Sequence, residues 1–281
     1  MEELNINWDK VDLILENSLI EDLGSGDVTT NAIFSPDQRC EAYVVAKQKG
    51  IVSGVEVAKR IFTKLDPNSS FTQNLNDGNI VEPGWEILRI HASVRAVLSG
   101  ERLALNLLQR MSGIATQTSK YVDALKGFNT EILDTRKTVP GLRVLDKYAV
   151  ACGGGQNHRF GLYDLVMIKD NHIKAAGGIE NALELVRSKY AGKYKIEVET
   201  SNLNEVGQAL KSGADIIMLD NMSTDIMKEA VILIDGKAFT EASGGITLKG
   251  LSKIAETGVD FISVGALTHS VQALDISLYM V

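Results

Sequence analysis

The sequence is short of several things, and each shortage closes off a class of protein. Only two cysteines, Cys40 and Cys152, occur among 281 residues. Two thiols cannot build a disulfide framework, nor a structural zinc site by themselves, and a reducing cytoplasm is the simplest compartment for such a chain. No apolar run approaches the roughly 20 residues that cross a bilayer. The start, Met1 to Lys10, is acidic and polar and lacks the basic-then-apolar order of a signal peptide. Low-complexity linkers and short repeats are absent. Positive charge is in deficit, with a net charge of −7, so neither nucleic acid nor an anionic membrane is attracted in general. A dinucleotide fingerprint is missing as well, because Gly153-Gly154-Gly155 does not follow a strand pattern.

What is present is an ordinary globular composition, 44% hydrophobic and 23% charged, on a length that suits one large barrel or two smaller domains. The character of the chain changes near residue 115. Before it, helical patterns at Val11–Leu23, Val55–Leu65 and Glu101–Met111 mix with strand-like runs at Glu41–Lys47, Gly50–Val52, Ile80 and Ile87–Val94. After it, strand-like runs at Glu131–Leu133, Leu165–Ile168, Lys195–Val198, Ile216–Leu219, Ala238–Thr240 and Phe261–Val264 alternate with helical patterns. The helices fall at Leu142–Val150, Ile179–Lys189, Leu203–Lys211, Thr224–Leu233 and Leu248–Glu256. Such alternation predicts a parallel sheet with right-handed crossovers. Six units in about 150 residues fit an α/β barrel, an incomplete one. A doubly wound open sheet is the structural alternative. The expected division is 1–115 and 116–270.

Each predicted barrel strand runs into chemistry: Asp134-Thr135-Arg136-Lys137, Lys169-Asp170-Asn171-His172, Glu199, Asp220-Asn221, Ser243-Gly244-Gly245 and Gly265. A charge at one such position is usually a helix cap or a solvated loop residue. Six ends in succession, all on the face where barrel enzymes build their sites, are harder to dismiss. Arg136, Lys137, His158, Arg159 and Lys169 form a cationic set suited to a ligand with more than one carboxylate or phosphate. Glu199 and Asp220 suit magnesium, which takes one or two carboxylates and completes its shell with water and phosphate oxygens. Balancing Lys169 or Arg136 in an ion network is the equal alternative. Ser243, Gly244, Gly245 and Gly265 follow the last strands, where backbone N–H groups and a helix N-terminus take phosphate. Gly153–Gly155 reads as a hinge delivering His158 and Arg159. His91 reads as structural, His172 as a cap for the Lys169 loop, and His269 as able to reach a phosphate or, equally, as structural.

At Asp134-Thr-Arg-Lys-Thr-Val-Pro-Gly-Leu-Arg143, Lys147-Tyr-Ala-Val-Ala-Cys-Gly-Gly-Gly-Gln-Asn-His-Arg159 and Ile168-Lys-Asp-Asn-His172 the chain resembles the quinolinate phosphoribosyltransferases. The likeness extends to Glu21–Thr30, Gly100-Glu-Arg102, Ser112–Thr116, Glu197-Val-Glu199, Leu219-Asp-Asn221, Ala242–Gly245 and Gly265–His269. Ala92 stands where a glycine is common, and the first twenty residues match weakly. The resemblance implies an N-terminal α/β sandwich domain on an incomplete barrel, of the type II phosphoribosyltransferase kind, with 271–281 returning to the first domain. It implies transfer of phosphoribosyl from phosphoribosyl pyrophosphate to quinolinate, with loss of carbon dioxide, on the route to NAD. It also implies a homodimer or larger assembly in which Arg102 serves the neighbouring subunit's pocket. In that reading Arg102, Thr135, Arg136, Lys137, His158, Arg159 and Lys169 meet the substrates. Ser243, Gly244, Gly245, Gly265 and His269 meet phosphate, and Glu199 and Asp220 hold Mg2+. Lys137 and Lys169 join Glu199 and Asp220 as catalytic residues. Three alternatives stand beside it: a related phosphoribosyltransferase acting on another small anion, an aldolase-like lyase with Lys169 as Schiff-base nucleophile, and a non-catalytic anion-binding protein.

Overall fold

A computed structural model describes residues 6–281; residues 1–5, part of the polar start noted above, lie outside the described residues. The order begins α1 (Trp8–Leu23), α2 (Val28–Ile33), β1 (Arg39–Ala46), β2 (Gly50–Ile51), α3 (Val55–Leu65), β3 (Ser70–Gln73), β4 (Ile80–Val81), β5 (Glu86–Ser93) and α4 (Val94–Ala124). It continues β6 (Glu131–Leu133), α5 (Arg143–Cys152), β7 (Val166–Ile168), α6 (Asp170–Ala176), α7 (Ile179–Tyr190), β8 (Ile196–Thr200) and α8 (Leu203–Lys211). It ends β9 (Ile216–Asp220), α9 (Thr224–Ile234), β10 (Phe239–Ser243), α10 (Leu251–Ala255), β11 (Phe261–Ser263), α11 (Ala266–His269) and β12 (Ile276–Met280). Two compact units result: residues 6–119 with Thr138–Gly154 and Ala266–Val281, and Lys120–Lys137 with Gly155–Gly265.

The first unit is built on a four-stranded antiparallel sheet in the order β12-β1-β5-β3. The last strand pairs with the first, Ala42 opposite Met280 and Ala46 opposite Ile276. Helix α3 buries Val55, Val57, Ala58, Ile61 and Phe62, the apolar stripe of an amphipathic helix. Its N-terminus has no side-chain cap of its own; Asp77 Oδ1 instead accepts the N–H groups of Gly54 and Val55, both at 3.0 Å. Tyr148 donates to the other oxygen of Asp77 at 2.9 Å.

Helix α4 corrects the sequence expectation. The pattern predicts Glu101–Met111, bracketed by Ser99-Gly100 and Ser112-Gly113, whereas the helix spans 31 residues. Both glycines are packing contacts rather than helix ends. A Cβ at Gly100 would lie 3.0 Å from the Phe62 ring, and one at Gly113 would lie 2.2 Å from the Gln272 carbonyl oxygen. Arg102 therefore sits inside a long helix, exposed, and does not open one. Further along α4, Arg110 grips Asp146 with two parallel bonds of 2.9 and 2.8 Å, and Asp146 is fully buried.

The second unit is a parallel six-stranded sheet in the order β6-β11-β10-β9-β8-β7. Consecutive strands β7 to β11 lie side by side, as right-handed crossovers dictate. Strands β6 and β7 are its two edges, so the barrel is incomplete. Beyond β6, Gln156 forms an isolated parallel bridge with Leu133: its N–H donates to Ile132 O at 2.8 Å and its carbonyl accepts from Asp134 N–H at 3.1 Å. The strand expected at 238–240 runs to Ser243, and the helix expected at 248–256 is a short 3-10 turn followed by α10.

Candidate active site

Strand alternation sends every second side chain of β7 to β11 to the interior. The ends of these strands and of β6 enclose a cavity of about 510 Å³ within the second unit. Arg136, Lys137, His158, Arg159 and Lys169 all line it, as do Thr135, Glu199 and Asp220. Ser243, Gly244 and Gly245 complete the predicted part of its wall. Gly265 follows β11 and is half-buried. Arg102 in α4 and His269 in α11 belong to the first unit; both are exposed, and His269 Nδ1 lies 2.7 Å from the hydroxyl of Ser270.

The cations are placed by local geometry. Thr135 Oγ1 accepts the N–H of Lys137 at 3.1 Å, turning the chain sharply after β6. Arg159 donates to Leu165 O at 3.3 Å and to Met167 Sδ at 3.5 Å. Burial and the charge of Arg136 hold its guanidinium below the ordinary value. Lys169 follows β7 and caps α6, and its N–H donates to His172 Nδ1 at 3.0 Å, the capping role expected for His172. Its ammonium lies 2.6 Å from Glu199 Oε2. Lys169 is 43% exposed and ion-paired, whereas a Schiff-base lysine is desolvated in an apolar pocket or set beside another cation; the lyase reading loses its support.

Asp220 and Asn221 follow from β9. Asn221 adopts φ +54, a left-handed conformation that asparagine tolerates better than most residues. Its amide donates to Asp220 Oδ2 at 2.8 Å, and its N–H donates to Ser243 O at 2.9 Å. Gly244 has φ +99, and a Cβ there would meet Asn221 Oδ1 at 2.2 Å. Only glycine fits this turn, which ties β9 to the backbone that the sequence marks for phosphate. Glu199 and Asp220 each have one oxygen held by a neighbour and one without a hydrogen-bond donor among the described residues. Two carboxylates with spare oxygens beside a polar cavity match the donor set of magnesium.

Sequence reasoning missed what lies beneath the cations. Glu197 and Glu241 are buried, 0% and 1% exposed, and both reach His158 Nε2, at 3.0 and 3.3 Å. The His158 N–H donates to Asp134 Oδ1 at 2.8 Å, and the Arg159 N–H donates to His158 Nδ1 at 2.7 Å. Burial alone would push the imidazole down, but hydrogen bonds and charge from Glu197 and Glu241 outweigh it and push it up to about 10. Burial pushes the Glu197 carboxyl up too, against its bond from His158 and with the charge of Glu241 adding. The Arg159 N–H donates to Nδ1, which leaves Nε2 as the ring nitrogen that faces the two carboxylates. The ligand atoms of His158, Glu197 and Glu241 lie within 4.8 Å of one another, close enough for a metal. A protonated Nε2 has no lone pair to give one. The available signal was Glu197-Val198-Glu199: residues two apart on a strand share a face, so an inward Glu199 requires an inward Glu197.

A second cavity of about 310 Å³ opens among the strand starts, at Glu131, Leu165, Lys195, Ile216 and Phe261. His158, Arg159 and Glu241 line both cavities. They form a polar partition across the barrel interior.

An incomplete α/β barrel with cations, carboxylates and a glycine turn gathered at its strand ends defines an anion-handling barrel protein. The N-terminal domain of quinolinate phosphoribosyl transferase matches residues 27–112, and its C-terminal domain matches 114–279. The chain is 47% identical over 265 residues to the probable nicotinate-nucleotide pyrophosphorylase [carboxylating] of Bacillus subtilis, covering 94% of this chain and 91% of that one. It is 46% identical to quinolinate phosphoribosyltransferase [decarboxylating] 1b of Nicotiana tabacum, covering 94% and 81%. The structure of NadC from Streptococcus pyogenes superposes with a TM-score of 0.94 at 40% identity, covering 99% of each chain. The nicotinate-nucleotide pyrophosphorylase from Francisella tularensis gives 0.95 at 39%, covering all of both. The chain belongs to the quinolinate phosphoribosyl transferase family.

Proposed function

We propose that the protein transfers phosphoribosyl from phosphoribosyl pyrophosphate to the ring nitrogen of quinolinate, releasing pyrophosphate and carbon dioxide and giving nicotinate mononucleotide, as the names of its relatives describe. The observation that carries the reading is the single cavity in which Arg136, Lys137, Arg159 and Lys169 face Glu199, Asp220 and the Gly244–Gly245 turn.

Quinolinate bears two adjacent carboxylates. Charge-assisted bonds from these cations contribute about 1.5–3 kcal/mol each and fix the ring for in-line attack by nitrogen. Backbone N–H groups around Ser243 and Gly244 receive the 5-phosphate. As the pyrophosphate leaves, positive charge grows on the sugar, and the carboxylates of Glu199 and Asp220 oppose it. Glu199 and Asp220 are the residues that would hold magnesium, which when bound would supply neutralisation of the leaving pyrophosphate. Once the ring nitrogen is quaternary it stabilises the electron pair left on the adjacent carbon, so the neighbouring carboxylate can depart as carbon dioxide without another cofactor, and a proton from solvent then takes its place on that carbon. The cavity's part is to keep water out until then.

The homodimer belongs to this proposal, with Arg102 reaching the partner's substrate. Free thiols at Cys40 and Cys152 support a cytoplasmic setting, and no helix among the described residues is long and apolar enough to cross a membrane. Incubation with quinolinate, phosphoribosyl pyrophosphate and magnesium is the test. Carbon dioxide and nicotinate mononucleotide in equal amounts support the reading; turnover of nicotinate without carbon dioxide release replaces it with a related phosphoribosyltransferase.

A further inference from the structure

Beyond β6 the parallel ladder ends on a side chain. Gln156 pairs with Leu133, its N–H on Ile132 O and its carbonyl on the Asp134 N–H. Parallel rungs are evenly spaced, so the next should run from the His158 N–H to the main-chain carbonyl of Asp134. The His158 N–H goes instead to Asp134 Oδ1, at 2.8 Å. The carboxylate takes the rung that its own backbone would otherwise supply. It does so fully buried, and taking a carboxylate out of water is costly. An uncharged carbonyl would close the same rung without that cost. The substitution must therefore be explained by what it does to the two chain segments.

Both segments carry cations of the cavity. After Asp134 the chain turns through Thr135, whose Oγ1 accepts the Lys137 N–H at 3.1 Å, and presents Arg136 and Lys137. The other segment presents His158 and Arg159. A main-chain rung at Asp134 would prolong two extended strands about 4.8 Å apart, and successive side chains of an extended strand point to opposite faces. Yet Arg136 and Lys137 line one cavity, and so do His158 and Arg159. Each pair has left strand geometry. The side-chain rung lets the backbone leave it at Asp134 while the segments stay joined. Among the described residues no strand covers Gln156 on its other side, so this rung is the sheet's last hold on the segment that bears Arg159. Asp134 itself does not line the cavity.

We infer that Asp134 is a positioning residue for quinolinate recognition: its carboxylate replaces a backbone rung at the open seam of the barrel and so sets the Arg136–Lys137 turn and Arg159 at a fixed separation, matched to a ligand with two adjacent carboxylates. It acts through those cations and not on the substrate. The inference rests on the quinolinate reading above.

The test compares Asp134→Asn and Asp134→Ala with wild type. Asn keeps an oxygen where the His158 N–H points and gives up the charge, whereas Ala gives up both. Expected for Ala is a rise of at least tenfold in KM for quinolinate, with KM for phosphoribosyl pyrophosphate within about threefold. Asn should stay within about threefold of wild type for both substrates. Amide hydrogen exchange at His158 should be slow in the wild type and in Asn, and at least tenfold faster in Ala, with the Gln156 amide changed by less than about twofold. In an Arg159→Ala background Asp134→Ala should cost less quinolinate affinity than it does alone, because the cation it places is gone. Unchanged quinolinate KM in a folded Ala variant, equal rises in both KM values, an Asn variant as poor as Ala, or strict additivity with Arg159→Ala overturns the inference. If Ala does not fold, NMR on the wild type decides: the His158 amide nitrogen should couple across the hydrogen bond to the side-chain carboxyl carbon of Asp134, and coupling to its main-chain carbonyl carbon instead overturns the inference. A wild type that does not turn over quinolinate removes the functional reading and this role with it, while the coupling still decides whether the carboxylate carries the rung.

Discussion

Replacing Gly244 by alanine adds one methyl group at the most constrained point of the site. The backbone there has φ +99, and the new Cβ would lie 2.2 Å from Asn221 Oδ1 and 2.5 Å from its Cγ. Two costs follow. Holding a non-glycine residue in that region takes about 1–3 kcal/mol. The Asn221 amide must also move, breaking its bond to Asp220 Oδ2, and a hydrogen bond to a charged group contributes about 1.5–3 kcal/mol. The first cost appears as lost stability. The second falls on Asp220, the carboxylate proposed to face the leaving group, and if it is expressed in the transition state kcat/KM for phosphoribosyl pyrophosphate drops by about ten- to a hundredfold. Steady-state kinetics with each substrate varied separately should show that drop while KM for quinolinate stays within twofold. The double variant Asn221→Gly with Gly244→Ala relieves the collision, so its defect should fall short of the sum of the two single defects. Wild-type kinetics in Gly244→Ala, or strict additivity in the double variant, would refute the argument that Asn221 joins the turn to Asp220.

Arg136→Ala and Lys169→Ala should each weaken quinolinate binding roughly tenfold or more, from loss of about 1.5–3 kcal/mol, while leaving folding intact; calorimetry with quinolinate measures it, and wild-type affinity in both would remove the cationic cavity from the substrate's path. Glu199→Ala and Asp220→Ala should raise the magnesium concentration needed for half-maximal turnover, and unchanged metal dependence in both would end the magnesium assignment. Arg110→Met should destabilise the protein by about 3–5 kcal/mol, because it strands the buried carboxylate of Asp146; denaturant unfolding reads the change, and a loss below about 1 kcal/mol would mean that water reaches Asp146. Stability should also fall as pH rises. The proton of the His158 cluster is held more tightly in the folded state, with the ordinary 6.5 pushed up to about 10, so the stabilisation is complete below about pH 6.5 and is lost on the way to pH 10. Glu241→Leu should flatten the melting-temperature profile across that window, and a slope equal to wild type would show that the cluster is not its source.

Much of the barrel was legible because its elements obey their periods without interference. Glu131–Leu133, Ile179 onward, Leu203–Lys211 and Ile216 onward lie where apolar spacing puts them. Strand β3, Ser-Phe-Thr-Gln, was invisible because an edge strand with mostly exposed side chains has no apolar alternation to read. Helix α6, Asp-Asn-His-Ile-Lys-Ala-Ala, has no buried residue and so no stripe. The cationic residues after β6 and β7 could be read because six strand ends in succession carry a charge or a glycine. Glu241 could not, because a glutamate in a strand ordinarily signals the solvent face; Glu197 could be read only through its neighbour two residues on, Glu199.

The C-terminal strand has a consequence for how the chain is made. Strand β1 is complete by residue 46, yet its partner β12 begins at residue 276. On a ribosome adding about 5–20 residues per second, the first strand waits while the roughly 230 residues between the two are made before that edge is covered. All six parallel strands, by contrast, lie between residues 131 and 263 and have emerged earlier. The four-stranded sheet, begun before the parallel one, is completed after it. Any stop codon that removes the last few residues therefore leaves the first unit with an uncovered sheet edge while sparing every residue of the parallel sheet.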